Sequence, residues 1–357
     1  MPTSERVADR RATRRVPLAA VLLVLVAALV VSALASAAFG AADVSPGVVV
    51  DVLRHRLLGG PTGVDPVADA IVWEIRGPRV VLAIVVGAGL ALGGSGMQTL
   101  VRNPLADPYL LGVSSGASVG ATAVITLGTF AGAGLWALSA GALLGALGAA
   151  LLVFGVAMAQ GGLTPLRLVL TGTVLSSAFA AMASFLVFRS ADPQAAQSVL
   201  FWLLGSLSGA TWEQSLLPFV AVAVIGAVLL AGNGWLDALA AGADVAAALG
   251  VPVRLVRNVL FVLLAIMIGV LVAVAGGIGF VGLILPHVSR LVVGARHRRM
   301  LPVAALAGGL FLLWVDVAAR TLAAPSEIPL SVVTGVIGAP VFLLLLGRRR
   351  YSFGSVS

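Results

Sequence analysis

Ten long apolar runs, separated by short segments that carry most of the arginines, constrain the fold of this chain more than any other feature. Of its 357 residues, 60% are hydrophobic and 10% are charged, whereas a soluble domain carries about 25% charged residues. The shortage of charge extends along the whole length, so a soluble domain with a single anchor is excluded. We therefore expect an all-α polytopic membrane protein.

Each predicted span is close to the ~20 residues that cross the hydrocarbon core of a bilayer as a helix. The spans are 17–40, 79–100, 109–129, 134–158, 168–188, 214–232, 256–275, 280–295, 301–321 and 329–347. The division between the seventh and the eighth is the least distinct boundary. We expect one transmembrane domain over 17–350.

The arginines predict the orientation. Ten spans place both termini on one side, and a cytoplasmic location puts fifteen arginines inside and six outside, with Arg290 inside a span. Such an excess is typical of cytoplasmic loops. Residues 1–16 and 351–357 are then cytoplasmic tails, 41–78 is an outer loop, and 232–257 is a cytoplasmic loop.

The first apolar run also resembles a signal peptide, because four arginines precede it and small residues at 33–37 resemble a cleavage site. Signal peptides have an apolar core of about 7–15 residues. The run from Val16 to Ala42 is longer, so we expect a retained first helix.

Missing residue types exclude several kinds of chemistry. The chain has no Cys, which excludes disulfides and thiolate sites. It has no Lys, so it cannot contain a Walker A loop, and any ATP hydrolysis belongs to another chain. Its three His are far apart, and its Arg lie at the ends of apolar runs. We predict no catalytic or metal residues and no nucleic-acid binding.

Two loops contain predicted short helices. In the outer loop, Ser45-Pro46 has the form of a helix N-cap followed by proline, and an apolar stripe from Val48 to Leu57 indicates an amphipathic helix at the surface. In the loop 232–257, Gly242 and Gly250 separate two Ala-rich pieces, 235–241 and 243–249, which are too short to span a membrane.

The chain resembles the FecCD-type permeases in five ordered segments. The sequence Asn-Pro-Leu-Ala-Asp-Pro at 103–108 is followed by Leu-Gly-Val-Ser-Ser-Gly at 111–116. The other similar segments are 74–79, 241–250, 276–290 with 297–302, and 327–329 with 338–342. The resemblance covers about residues 17–350.

The resemblance implies a type II ABC importer permease in the bacterial inner membrane. In that family two permease subunits, as a homodimer or a heterodimer with a close paralogue, enclose the pathway on their common axis. Two cytoplasmic ABC ATPase subunits hold ATP and Mg, and an extracytoplasmic binding protein delivers the substrate. This chain would bind no cofactor. We expect an iron-siderophore complex as substrate, then haem, then cobalamin.

The resemblance also assigns roles to residues. Docking of the binding protein falls on Arg76, Arg79, Arg320 and Glu327. Structural explanations remain open for these residues, because arginines near helix ends extend to the membrane interface. Asp316 lies one turn before Arg320, and this spacing predicts an ion pair between them. Glu327 is a second candidate partner of Arg320.

Contact with the ATPase is assigned to the loop 232–257. The residues are Ala240, Ala241, Gly242, Ala243, Asp244, Leu249 and Gly250. A plain connector is the alternative.

Two proline breaks are predicted to narrow the pathway at the inner gate: Asn103, Pro104, Leu105 and Thr164, Pro165, Leu166. Helix termination by proline alone is the alternative. Met97, Gln98, Ser114 and Ser115 are candidates for the pathway wall, although tight helix packing explains small residues equally well.

Two other classes of protein remain as alternatives. A secondary, ion-coupled transporter needs ion-binding or proton-relay residues in mid-span, and we find no such set. A membrane enzyme is disfavoured by the absence of Cys and of paired carboxylates within the spans.

Overall fold

A computed structural model describes residues 17–40, 42, 44–59 and 63–347. Helices account for most of this described part, which holds no strand. The predicted tails 1–16 and 351–357 lie outside the described residues.

All ten predicted spans correspond to helices, so the all-α architecture is confirmed. They are α1 (Leu18–Ala38), α4 (Gly77–Val101), α5 (Val113–Leu127), α6 (Ala137–Ala159), α7 (Pro165–Arg189), α9 (Trp212–Ala231), α12 (Val253–Ala275), α13 (Val281–Val293), α14 (His297–Thr321) and α15 (Leu330–Gly347). In the described residues seven are long and apolar enough to cross a membrane, and α5, α13 and α15 are shorter.

The remaining helices are short. They are α2 (Pro46–Leu58), α3 (Pro66–Ala70), α8 (Ala195–Leu203), α10 (Asn233–Ala241) and α11 (Ala243–Ala248). A π-helical segment, Ile71–Arg76, joins α3 to α4. The three short helices expected from sequence, α2, α10 and α11, are present, whereas α8 has no counterpart among the predicted elements.

Helix α4 is the central element of the fold. Most of its residues are buried, and it packs against α9, α12, α13 and α14. Glycines permit the closest approaches: a Cβ on Gly87 would lie 2.2 Å from the carbonyl oxygen of Gly308 on α14. A Cβ on Gly120 of α5 would lie 1.9 Å from the carbonyl oxygen of Gly141 on α6. These backbones touch because no side chain separates them.

Two irregular segments meet deep inside the bundle. The 3₁₀ helix Pro108–Leu111 precedes α5, and Gly276–Phe280 precedes α13. The Tyr109 hydroxyl joins them, since it accepts from the Ile278 N–H at 2.8 Å and donates to the Ile278 carbonyl at 3.0 Å. Irregular backbone at membrane depth is tolerated where protein buries it.

The meeting of these segments explains why α5 and α13 are short. With 15 and 13 residues, at ~1.5 Å per residue, they are about 22 and 20 Å long, less than the ~30 Å hydrocarbon core. The break after α4 was predicted at the inner face only. Asn103 is exposed there, but the chain then turns back until Pro108 packs against Gly282, beside Leu90 of α4.

Candidate docking and coupling sites

An ion cluster lies at the N-terminal end of α4, with Arg79 at its centre. Arg79 Nε donates to both carboxylate oxygens of Asp316, at 2.9 and 3.1 Å. Its Nη1 and Nη2 donate to the two oxygens of Glu327, at 2.7 and 2.9 Å. Charge-assisted forks of this kind fix geometry as well as adding energy. One guanidinium therefore joins α4, α14 and the segment before α15.

Arg320 lies beside this cluster. Its Nε is 3.4 Å from Asp316 Oδ2, and its Nη2 donates to the Ser36 carbonyl of α1 at 2.8 Å. The predicted ion pair between Asp316 and Arg320 is confirmed. Glu327 was a second candidate partner for Arg320, but its carboxylate instead meets the two terminal nitrogens of Arg79.

Arg76 anchors the end of α1. Its Nη1 donates to the carbonyls of Ala37 and Ala38 at 2.7 and 2.9 Å, and its Nη2 donates to the carbonyl of Ala42. The last carbonyls of a helix have no partner within the helix, and a cation placed there satisfies them. Arg76 thus ties α1 to the segment that leads into α4.

Burial corrects the expected exposure of the docking residues. Arg76, Arg79 and Arg320 are 5%, 7% and 7% exposed, so their guanidinium groups are enclosed within this subunit. Glu327 is the most accessible of the four, with 29% of its side chain exposed. The docking role itself stays a prediction.

The opposite end of the bundle carries α10 and α11. Gly242, at φ 133°, lies at the bend between them, where glycine is favoured. The predicted contact residues Ala240, Ala241, Asp244, Leu249 and Gly250 are exposed, Ala243 is half-buried and Gly242 is buried.

Helix α11 also presents an apolar surface. Val245 is 47% exposed and Leu249 is 69% exposed. Ala246, on the other side of the helix, is fully buried. An exposed apolar face on a short loop helix is the kind of surface that a partner protein covers.

A hydrogen-bonded network attaches α10 to the bundle. Asp237 Oδ1 accepts from the His297 backbone N–H at 2.9 Å and lies 2.6 Å from the ring Nδ1. The ring Nε2 lies 2.8 Å from the Thr99 hydroxyl. In the neutral ring with its proton on Nδ1, Nδ1–H donates to Asp237 and Nε2 is an acceptor. The single Thr99 hydroxyl proton is then shared between this nitrogen and the Ser95 carbonyl, which lies 2.9 Å from the hydroxyl oxygen. The network therefore connects α10, the first residue of α14 and the last turns of α4.

Sequence reasoning missed this network. Asp237 lies in a predicted short helix and His297 in a recognised segment, but no spacing signal brings Thr99 to them, because the three residues are far apart along the chain.

The predicted gate residues lie at helix boundaries, after α4 and at the start of α7, and their role at a gate stays a prediction. Asn103 Oδ1 accepts from the Leu105 N–H at 2.9 Å, and Thr164 caps α7 by accepting from the Arg167 N–H. Leu105 and Leu166 are 39% and 68% exposed. Their exposed side chains are available for contact with another subunit.

Two residues of the predicted pathway wall, Met97 and Gln98, are buried inside the subunit. Met97 is fully buried and Gln98 is 4% exposed. Pro286 lacks the N–H that would bond to the Gly282 carbonyl one turn earlier, and Gln98 Nε2 approaches this carbonyl at 3.5 Å and that of Leu283 at 3.3 Å. Both side chains are enclosed within this subunit, and their assignment to the pathway wall stays a prediction, as does that of Ser114 and Ser115, which are half-buried.

A cavity of about 630 Å³ opens among α8, α9, α12 and the adjoining ends of α5 and α6. Its polar side chains are uncharged: Ser139, Gln197, Ser198, Ser206, Ser208 and Gln214. Sequence analysis did not identify it, since α8 was not predicted.

Known proteins resemble the chain over most of its length. It is 39% identical to the ABC transporter permease YvrB of Bacillus subtilis, over 87% of this chain and 88% of the relative. It is 42% identical to the cobalamin import system permease BtuC of Halobacterium salinarum, over 80% and 76%. The molybdate import permease MolB of Haemophilus influenzae is 38% identical, over 79% and 82%.

A solved inward-facing structure of a metal-chelate type ABC transporter superposes with a TM-score of 0.81 at 35% identity, over 93% of this chain and 100% of that one. The model of the FecCD transport family matches residues 27–348. This chain therefore belongs to the FecCD transport family and is a membrane-spanning permease subunit of an ABC importer in the cytoplasmic (inner) membrane.

Proposed function

We propose that two copies of this chain, or one copy and a close paralogue, form the pathway of an importer for a metal-organic chelate. An iron-siderophore complex is the expected substrate, and haem is a further candidate. Cobalamin is a second candidate with its own support, because a cobalamin permease is 42% identical to this chain. A metal-chelate transporter shares the fold at 35% identity.

The cavity lining supports a bulky, hydrogen-bonding substrate. Its polar side chains are hydroxyls and amides, with no charged side chain among the lining residues. Such groups bind and release a ligand rich in carbonyls and hydroxyls without the desolvation cost of a buried charge. A wall lined by such groups lets the substrate pass, and the binding protein then selects which substrate is delivered.

The observation that carries the ATP-driven mechanism is the exposed face of α11. Val245 and Leu249 are exposed on a loop that Asp237 joins to His297 of α14, and His297 in turn bonds to Thr99 of α4. In the proposed complex, cytoplasmic ABC ATPases bind ATP and Mg and cover this face. The same orientation places both chain termini in the cytoplasm.

The binding protein would dock at the opposite end, around Glu327. The three buried arginines then hold α1, α4 and α14 in position beneath the docking surface, and Glu327 is the member of the cluster that solvent reaches. Exposed charges nearby supply the rest of the surface: Arg54, Arg56, Glu74 and Glu213.

Reconstitution tests the proposal. The chain, its ATPase and its binding protein are placed in liposomes, and uptake of a ferric siderophore, haem, cobalamin and molybdate is measured with and without ATP. We expect ATP-dependent uptake of the ferric siderophore, and no uptake with an ATPase whose nucleotide-binding lysine is replaced. Uptake driven by an ion gradient without the ATPase would instead support a secondary transporter.

A further inference from the structure

Helices α4 and α14 run antiparallel and are joined at three levels. Arg79 bonds to Asp316 at one end, Gly87 touches Gly308 further along, and Thr99 bonds to His297 at the other end. Eight residues separate the first two levels on each helix, so the contacts keep one register. Packed interiors transmit displacement with little compression, and the two helices therefore form one rigid unit.

Asp237 attaches the loop helices to this unit. Its Oδ1 bonds to two groups of His297, the backbone N–H and the ring. The side chain of His297 is 4% exposed, and that of Asp237 is 36% exposed. Within the described residues, α10 makes side-chain hydrogen bonds to two long helices. Asp237 bonds to His297 of α14, and Asn233 donates to the Leu230 carbonyl at the adjoining end of α9.

We propose that Asp237, His297 and Thr99 transmit the motion of the α10–α11 loop to the α4–α14 pair. This inference rests on the proposed function, in which an ATPase moves that loop. The three are positioning residues: they touch neither substrate nor nucleotide. When nucleotide draws α11, the bond to His297 pulls the first turn of α14, and the bond to Thr99 makes α4 follow.

The far end of the pair then moves as well. Arg79 carries the displacement to Glu327, and Arg320 carries it to Ser36 of α1. Trp314 adds a second link to α1, because its Nε1 donates to Ser32 Oγ at 3.0 Å. The loop near the ATPase is in this way connected to the proposed docking end through one pair of helices.

The network separates binding of the ATPase from transmission of its movement, two roles that a simple contact surface would combine. Loss of Asp237 leaves the exposed face of α11 intact, so the ATPase should still bind and hydrolyse ATP. The movement of the other end of the α4–α14 pair, near Arg79, should be lost. For Asp237→Ala we expect the nucleotide-induced distance change at the far end, relative to ATP hydrolysis, to fall about tenfold, within the range common for coupling between sites.

The test uses the assembled permease–ATPase complex in liposomes. The chain has no Cys, so Leu322→Cys, at an exposed position beyond α14, can be labelled with a nitroxide on both protomers. The distance between labels is measured by pulsed electron spin resonance without nucleotide and with ATP, Mg and vanadate. ATP hydrolysis is measured on the same samples.

Four variants are compared in this labelled background. Asp237→Ala and Thr99→Val cut the network on either side of His297, and Thr99→Val keeps the volume of the side chain. Asp237→Asn keeps the oxygen that accepts from His297 and should restore the distance change. Asp51→Ala, an exposed carboxylate on α2, is the matched control.

If the unsubstituted complex hydrolyses ATP without a distance change, the proposed function is at fault. If it responds and both Asp237→Ala and Thr99→Val respond equally well, the transmission role is wrong. If Asp237→Ala fails to assemble with the ATPase, the distance change in Thr99→Val decides whether the network transmits movement. Loss of the distance change with hydrolysis retained, restored by Asp237→Asn, supports the proposal.

Discussion

Gly94 of α4 and Gly282 of α13 lie in direct backbone contact: a Cβ on Gly94 would lie 1.8 Å from the Gly282 carbonyl oxygen. An added methyl could not be accommodated by moving a side chain, because the obstructing atom belongs to the main chain of Gly282. Overpacking of this kind typically costs about 1–3 kcal/mol. The contact also keeps α13 at the depth where Gln98 Nε2 approaches the carbonyls of Gly282 and Leu283.

We predict that Gly94→Ala lowers the free energy of unfolding by at least about 2 kcal/mol. Gly148→Ala, on α6 with open space around the added methyl, is the matched control and should raise stability by roughly 0.5–1 kcal/mol, because alanine favours the helix. Thermal unfolding of the detergent-solubilised protein measures both. Equal effects of the two substitutions would contradict the packing argument.

Arg79→Leu should be severely destabilising. The substitution leaves Asp316, which is fully buried, without its main partner, and breaking a buried ion pair typically costs about 3–5 kcal/mol. Arg56 also forms an ion pair, with Asp69, but on the surface, where such pairs contribute little. We expect Arg79→Leu to yield little folded protein by fluorescence-detected size exclusion, and Arg56→Leu to resemble the unsubstituted chain.

This result bears on the docking hypothesis. A charge reversal at Arg79 would abolish uptake by unfolding the protein, whether or not a binding protein touches that residue. Docking is better tested at exposed positions such as Glu74 or Arg54.

The spans were predictable because apolar content is a local property of the sequence, and each of the ten matches a helix within a few residues. Helix α8 was missed because Ala195–Leu203 is too short for a span and follows a loop without a strong cap signal. The paired helices α10 and α11 were found because Gly242 marks the bend between them.

The sites were less predictable, for a physical reason. The sequence placed three arginines at helix ends, but whether a guanidinium meets solvent or a carboxylate depends on long-range contacts. Asp316 and Glu327 reach Arg79 from more than 200 positions away. The position of Gln98 on α4 likewise does not reveal that its side chain approaches the Gly282 carbonyl, which Pro286 leaves free.

Tyr109→Phe tests the junction between the two irregular segments. The variant keeps the ring but removes the hydroxyl, which leaves both the N–H and the carbonyl of Ile278 without their Tyr109 partner. An unmade hydrogen bond at a buried group costs about 1–3 kcal/mol, so two lost bonds should lower stability by at least about 2 kcal/mol.

Hydrogen exchange distinguishes this local effect from a general loss of stability. Amides of residues 276–280 and of the first turn of α5 should exchange faster in Tyr109→Phe, while those in the middle of α4 keep their protection relative to global stability. Ser177→Ala, which removes an exposed hydroxyl bonded only within its own helix, is the control. If Tyr109→Phe behaves like Ser177→Ala, then glycine and proline packing alone holds the two segments together.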